Sequence, residues 1–97
     1  MASSREAFAR FDRWKNSRTV LNLMVVNIVD DECSEDRFQG AIFFADEDEG
    51  IVAFVDDESR NHLQLDLSEA SFTVASRSVE AKCLDRGTVT FVEVLLV

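Results

Sequence analysis

A chain of 97 residues has room for one hydrophobic core and one domain, taken as residues 1–97, and buries roughly 60–70% of the surface its unfolded form exposes. A composition that is 46% hydrophobic, with no proline and three glycines, excludes a disordered tail and a loop-rich scaffold. The net charge of −9 is unevenly placed: residues 1–18 set five basic side chains against two acidic ones, whereas residues 19–97 set five against seventeen and so repel a phosphate backbone.

The first element is a helix. Ser3-Ser4-Arg5-Glu6 has the S-x-x-E form of a capping box, in which Ser3 accepts from the Glu6 amide. Ala7, Phe8, Phe11 and Trp14 follow at helical spacing, and Arg13, Lys15 and Arg18 sit where the helix dipole favours cations. The spacing predicts a helix over about 5–16. Its stripe of Phe8, Phe11 and Trp14 is too large to leave in water, so the helix is expected to cover an open end of whatever follows.

From Thr19 the period changes to that of strands. Val20–Val29 is apolar in both phases apart from Asn22 and Asn27, which predicts a strand covered on both faces in its middle. Asp30–Asp36 reads as an acidic loop. Two β-prone runs, Phe38–Ala45 and Ile51–Val55, are joined by Asp46-Glu47-Asp48-Glu49-Gly50, a link ending in a residue that tolerates positive φ, and so predict a hairpin. Asp56–Asn61 is a polar turn. In His62–Leu67 the leucines alternate with His62, Gln64 and Asp66, placing Leu63, Leu65 and Leu67 inward. Ser71–Ser76 and Val79–Leu84 are further strand pieces, Asp85-Arg86-Gly87 is a tight turn, and Thr88–Val97 is a long terminal strand. One helix and five to seven short antiparallel strands favour a small closed barrel, which hides its edges. The last third of the terminal strand is apolar on both faces. Such a strand would be an aggregation hazard at an edge, so Val92, Val94, Leu95, Leu96 and Val97 are expected to pair with a neighbouring copy.

Catalytic chemistry has little to work with. His62 is the single histidine and falls on the polar phase of its strand, there is no tyrosine, and neither Cys33 nor Cys83 has a histidine near it in sequence. The two cysteines define neither a disulfide framework nor a zinc site. The DEDEG link resembles an EF-hand opening, but its glycine arrives one position early and Asp57 stands at the twelfth place. No enzyme, metal or cofactor is therefore expected. The charged N-terminus lacks the apolar core of a secretory leader, and no apolar run reaches the roughly 18 residues that span a bilayer. A cytoplasmic protein away from membranes is expected.

This layout resembles the Sm-like fold, in which an N-terminal helix precedes a strongly bent five-stranded antiparallel barrel. Gly40, Ile42 and Asp46 match the family's first signature at the right spacing, with Gly50 at its asparagine position. Leu84-Asp85-Arg86-Gly87 followed by Val89 is similar to the second signature, although Asp85 stands where an aliphatic residue is usual. The stretch 62–84 is longer than one bent strand requires, so an extra hairpin or a related SH3-like barrel is the alternative. The resemblance implies an RNA site on the inner rim at Asp46, Asp48, Gly50, Arg86 and Gly87. At those positions Asp48 offers no π face, Gly50 has no amide to read a base edge, and four carboxylates line the loop. The expectation is thus a non-enzymatic, ring-forming Sm-like scaffold that binds a protein or peptide. The alternative is a diverged RNA binder using Arg86 or the helix arginines Arg5, Arg10 and Arg13.

Overall fold

The computed structural model describes residues 3–56, 60–85 and 87–97, with the side chain of Asp85 excepted. Among these residues one helix, α1 (Ser4–Ser17), is followed by seven strands: β1 (Leu21–Val29), β2 (Glu32–Asp46), β3 (Ile51–Asp56), β4 (His62–Asp66), β5 (Ser71–Val74), β6 (Ser78–Asp85) and β7 (Thr88–Leu96). All pair antiparallel in one sheet of order β4-β3-β2-β1-β7-β6-β5.

That order makes the sheet curl. Its two margins, β4 and β5, are consecutive in the chain and joined by residues 67–70 alone. In a flat sheet six inter-strand gaps would hold the margins about 29 Å apart, whereas the link can span at most about 18 Å. The sheet must therefore wrap, and its concave face encloses one core built from Leu21, Leu23, Ile42, Val52, Phe54, Phe72, Val79, Val92 and Val94, among others. No ladder joins β4 to β5, so the closed barrel expected from the sequence is not formed. The reason lies in the stretch 62–84, which supplies three strands; the β5–β6 hairpin lies on β7 and leaves the β4 margin unpaired.

The bend is concentrated in β2, which pairs with β1 up to Gly40 and with β3 from Gly40 onward. A Cβ at Gly40 would lie 2.0 Å from the Val55 carbonyl oxygen, so only glycine permits this close crossing. A bulge between Ile42 and Phe44 adds to the turn of the strand and leaves both Phe43 and Phe44 about half exposed.

α1 starts where the capping box places it, with Ser3 Oγ accepting from the Glu6 amide at 3.2 Å. It ends at Arg18, whose left-handed φ of 53° lets the chain turn back through Thr19 N–H to Trp14 O at 3.0 Å. Ala7, Phe8, Phe11 and Trp14 are all buried where the helix rests on β2 and β5. Phe8 meets Phe11 and Phe72 edge-on, at centroid distances of 5.1 and 6.2 Å. Each of these aromatics contributes about 2 kcal/mol by leaving water. The apolar stripe thus plugs one end of the curl.

Two expectations are corrected. The segment 30–36 is not a loop: only Asp30 and Asp31 turn the chain, both at positive φ, and β2 begins at Glu32. Its acidic composition reflects a strand exposed on both faces rather than absence of structure. The terminal strand is not an edge. β7 lies between β1 and β6 and pairs with both, so its backbone is satisfied within the chain. Val92 and Val94 are core residues, Leu95 and Leu96 are half-buried, and Val97 is exposed. A lysine at 94 would therefore break the core and not an interface.

Candidate interaction surfaces

The rim positions singled out in the sequence, Arg86 apart, fall in or beside two turns. Asp46 closes β2, and its Oδ1 accepts from the amides of Asp48 and Glu49 at 3.0 and 3.4 Å, the geometry of an Asx-type turn. Gly50 ends that turn at φ +71°, and a Cβ there would lie 2.5 Å from Ser68 Cα. Its carbonyl accepts from Leu67 N–H at 2.7 Å, tying the β2–β3 turn to the β4–β5 link. Both residues thus shape the backbone, and no side chain fits at position 50. Asp48 is exposed on the turn. Gly87 is exposed in the β6–β7 turn at φ +84°, and Arg86 lies outside the described residues.

The link does draw the two turns towards one region. Ser68, packed against Gly50, also borders a cavity of about 400 Å³ with Asp66, Cys83, Leu84, Thr90 and Val92. Here Asp66 accepts from the Ser68 hydroxyl and from its amide at 3.0 Å, which holds its carboxyl below the ordinary value of 3.8. Partial burial pushes the Cys83 thiol above its ordinary value, and the charge of Asp66 adds to the effect. A thiol shifted in that direction is a poor nucleophile. Its counterpart Cys33 is exposed and lies on the other face of the sheet; both cysteines are free.

Neither the helix nor the histidine gathers a reactive cluster. Arg10 is committed to the fold: Nη1 donates to Ala75 O at 2.8 Å and to Ser76 O at 3.3 Å, and its guanidinium lies 5.6 Å from the Trp14 ring. Arg5 and Arg13 are exposed. His62 is exposed at the start of β4, with its ring 5.1 Å from that of Phe43. Among the described residues, no three His, Cys, Asp or Glu side chains are grouped to hold a metal ion, and no helix is long and apolar enough to cross a membrane.

Two surfaces remain unusual. One is the open margin at β4, where the exposed Phe43 stands over His62. The other is the outer face of β2, β1, β7 and β6. Cross-strand register sets its side chains in rows: Cys33, Ile28, Val89 and Leu84; then Glu35, Val26, Phe91 and Lys82; then Arg37, Met24, Glu93 and Glu80. Leu84 is 68% and Phe91 42% exposed, and a depression of about 400 Å³ runs over Met24, Val26, Ile28 and Phe91. Lys82 Nζ sits 5.4 Å from the Phe91 centroid. Glu80 stands directly opposite Glu93, an unfavourable like-charge pair, and neither belongs to an ion pair among the described residues. Apolar character in both phases of Val20–Val29 was the sequence signal for this face. What sequence could not supply was the partner strand, because β7 comes after five intervening strands.

Comparison with family models, curated proteins and solved structures finds no match. The geometry alone carries the functional reading.

Proposed function

We propose that this chain is a non-enzymatic, Sm-like cytoplasmic scaffold that assembles with copies of itself and binds a protein or peptide partner by strand addition. The observation that carries the reading is the pair of unpaired margins, β4 and β5, at the two ends of a curled sheet. An unpaired strand presents a row of free amides and carbonyls, the template for adding a strand from another chain. β5 (Ser71–Val74) contains no charged residue to deter pairing, in contrast with the exposed first half of β2, which carries Glu32, Glu35, Asp36 and Arg37. The half-exposed Phe43, whose ring lies 5.1 Å from that of His62 on β4, gives an added strand an apolar side chain to contact. The helix, the bent β2 at Gly40 and the turn at Gly50 support the Sm-like reading; the additional β5–β6 hairpin sets the chain apart from a five-stranded member.

RNA binding is the competing reading. The rim offers four carboxylates and no side chain at Gly50, and Arg10 is already engaged. Sedimentation velocity and fluorescence anisotropy with short U-rich and A-rich RNAs separate the two. The scaffold reading expects a defined oligomer that Ser71→Lys with Thr73→Lys dissociates, and no submicromolar RNA affinity. A monomer that binds RNA with a salt-dependent submicromolar affinity would replace it with the RNA reading.

A further inference from the structure

We infer that the outer face of β2-β1-β7-β6 is a self-complementary surface on which a second copy of this chain docks, sheet on sheet, about a twofold axis running between β1 and β7 parallel to the strands. The inference is independent of strand addition at the β4 and β5 margins.

The argument rests on register. Such an axis exchanges β1 with β7 and β2 with β6, so each row meets its own reverse. Ile28 then faces Val89 of the second copy, Val26 faces its Phe91, and Cys33 faces its Leu84. In the flanking strands Glu35 faces Lys82, and Arg37 faces Glu80. Each charged side chain at the flank therefore finds the opposite sign and the two apolar rows meet themselves, against which stand Glu93 facing Met24 and Leu95 facing Asn22. The like-charge pair Glu80 and Glu93, unfavourable in the single chain, acquires the Arg37 guanidinium as a neighbour. Turning the axis across the strands instead would set the row of Ile28, Val89 and Leu84 against Asn22, Leu95 and Ser78, with poorer match.

Shape agrees with this pattern. Curling makes the outer face convex across its strands, so short side chains of β1 and β7 meet in the middle while the long Lys, Arg and Glu side chains at the flanks reach across. Four strands spaced about 4.8 Å apart, and four rows about 6.8 Å apart, set an upper limit, reached only by a flat face, of about 500 Å² per copy and about 1,000 Å² per pair. That lies at the lower limit for specific association, so the dimer is expected to form and dissociate in the micromolar range.

Sedimentation velocity on the full chain from about 1 to about 100 µM tests it. The wild type is expected to show a reversible monomer–dimer equilibrium at the lower end of assembly. Lys82→Glu alone and Glu35→Lys alone should each weaken it at least about tenfold, and the charge-swapped double variant should restore it, which a merely misfolded protein would not do. Failure of the swap to restore assembly overturns the inference. An oligomer dissolved by Ser71→Lys with Thr73→Lys but indifferent to the outer-face variants overturns it while leaving the margin reading intact; a wild type monomeric at the highest concentration overturns both.

Discussion

Replacing Gly50 with alanine tests whether the β2–β3 turn is built around the absence of a side chain. Two costs add. An L-residue at φ +71° costs roughly 1–2 kcal/mol in the left-handed region. The new Cβ would also lie 2.5 Å from Ser68 Cα and 2.7 Å from Ser68 N, backbone atoms that yield only if the link moves. That movement strains the Leu67 N–H to Gly50 O bond of 2.7 Å, worth about 1 kcal/mol. The expected loss is about 3 kcal/mol, a fall in melting temperature of about 12–24 °C for a chain this size. Gly87→Ala is the control, because Gly87 has φ +84° but nothing within 4 Å of its Cβ position. It should lose only the conformational part, roughly 1–2 kcal/mol. Gly50→Asn escapes much of the φ penalty but keeps the clash and should still lose about 2 kcal/mol. Urea and thermal unfolding followed by circular dichroism would measure all three. Equal losses for Gly50→Ala and Gly87→Ala, or a Gly50→Asn variant as stable as wild type, would refute the steric account.

Trp14, 4% exposed beneath the helix, should emit at short wavelength in the folded protein and shift red on denaturation, and Trp14→Ala should cost about 3–5 kcal/mol. An emission maximum already at the water-exposed limit would displace the helix from the sheet. Asp66 has a folded value below 3.8, so its ionised form stabilises the fold above that pH and the contribution disappears as pH falls through the lower folded value. Asp66→Asn should therefore be less stable than wild type near neutrality and converge with it in strong acid; parallel curves at every pH would reject the Ser68 contacts as the cause. A disulfide-exchange reagent near neutrality should modify Cys33 well before Cys83, which is half-buried with its thiol pushed up, and comparable rates would contradict the placement of Cys83.

Local chemistry was legible in the chain. The S-x-x-E start and the spacing of Phe8, Phe11 and Trp14 defined α1 to within a residue at either end, because capping and a 3.6-residue period are interactions between near neighbours. The same holds for the hairpin at Asp46–Gly50 and the alternation in β4, where Leu63 and Leu65 turn inward. Reading residues 30–36 as a loop failed because composition reports exposure, and an exposed strand such as the start of β2 has the composition of a loop. The end of β7 posed the opposite difficulty. Two-faced apolar character said that the strand needed covering but not by what, and pairing with β1 and β6 is a choice among distant segments that no local pattern encodes.

The helix, the mainly β character and the turn chemistry follow from interactions within a few residues, and the acidic body from composition alone. That the sheet stays open between β4 and β5, that β7 is central, and that Ile28, Val89 and Leu84 stand in one outward row are outcomes of long-range pairing. Strand order and register depend on which backbone groups pair across tens of residues, and a shift of one residue would send every one of those side chains to the opposite face.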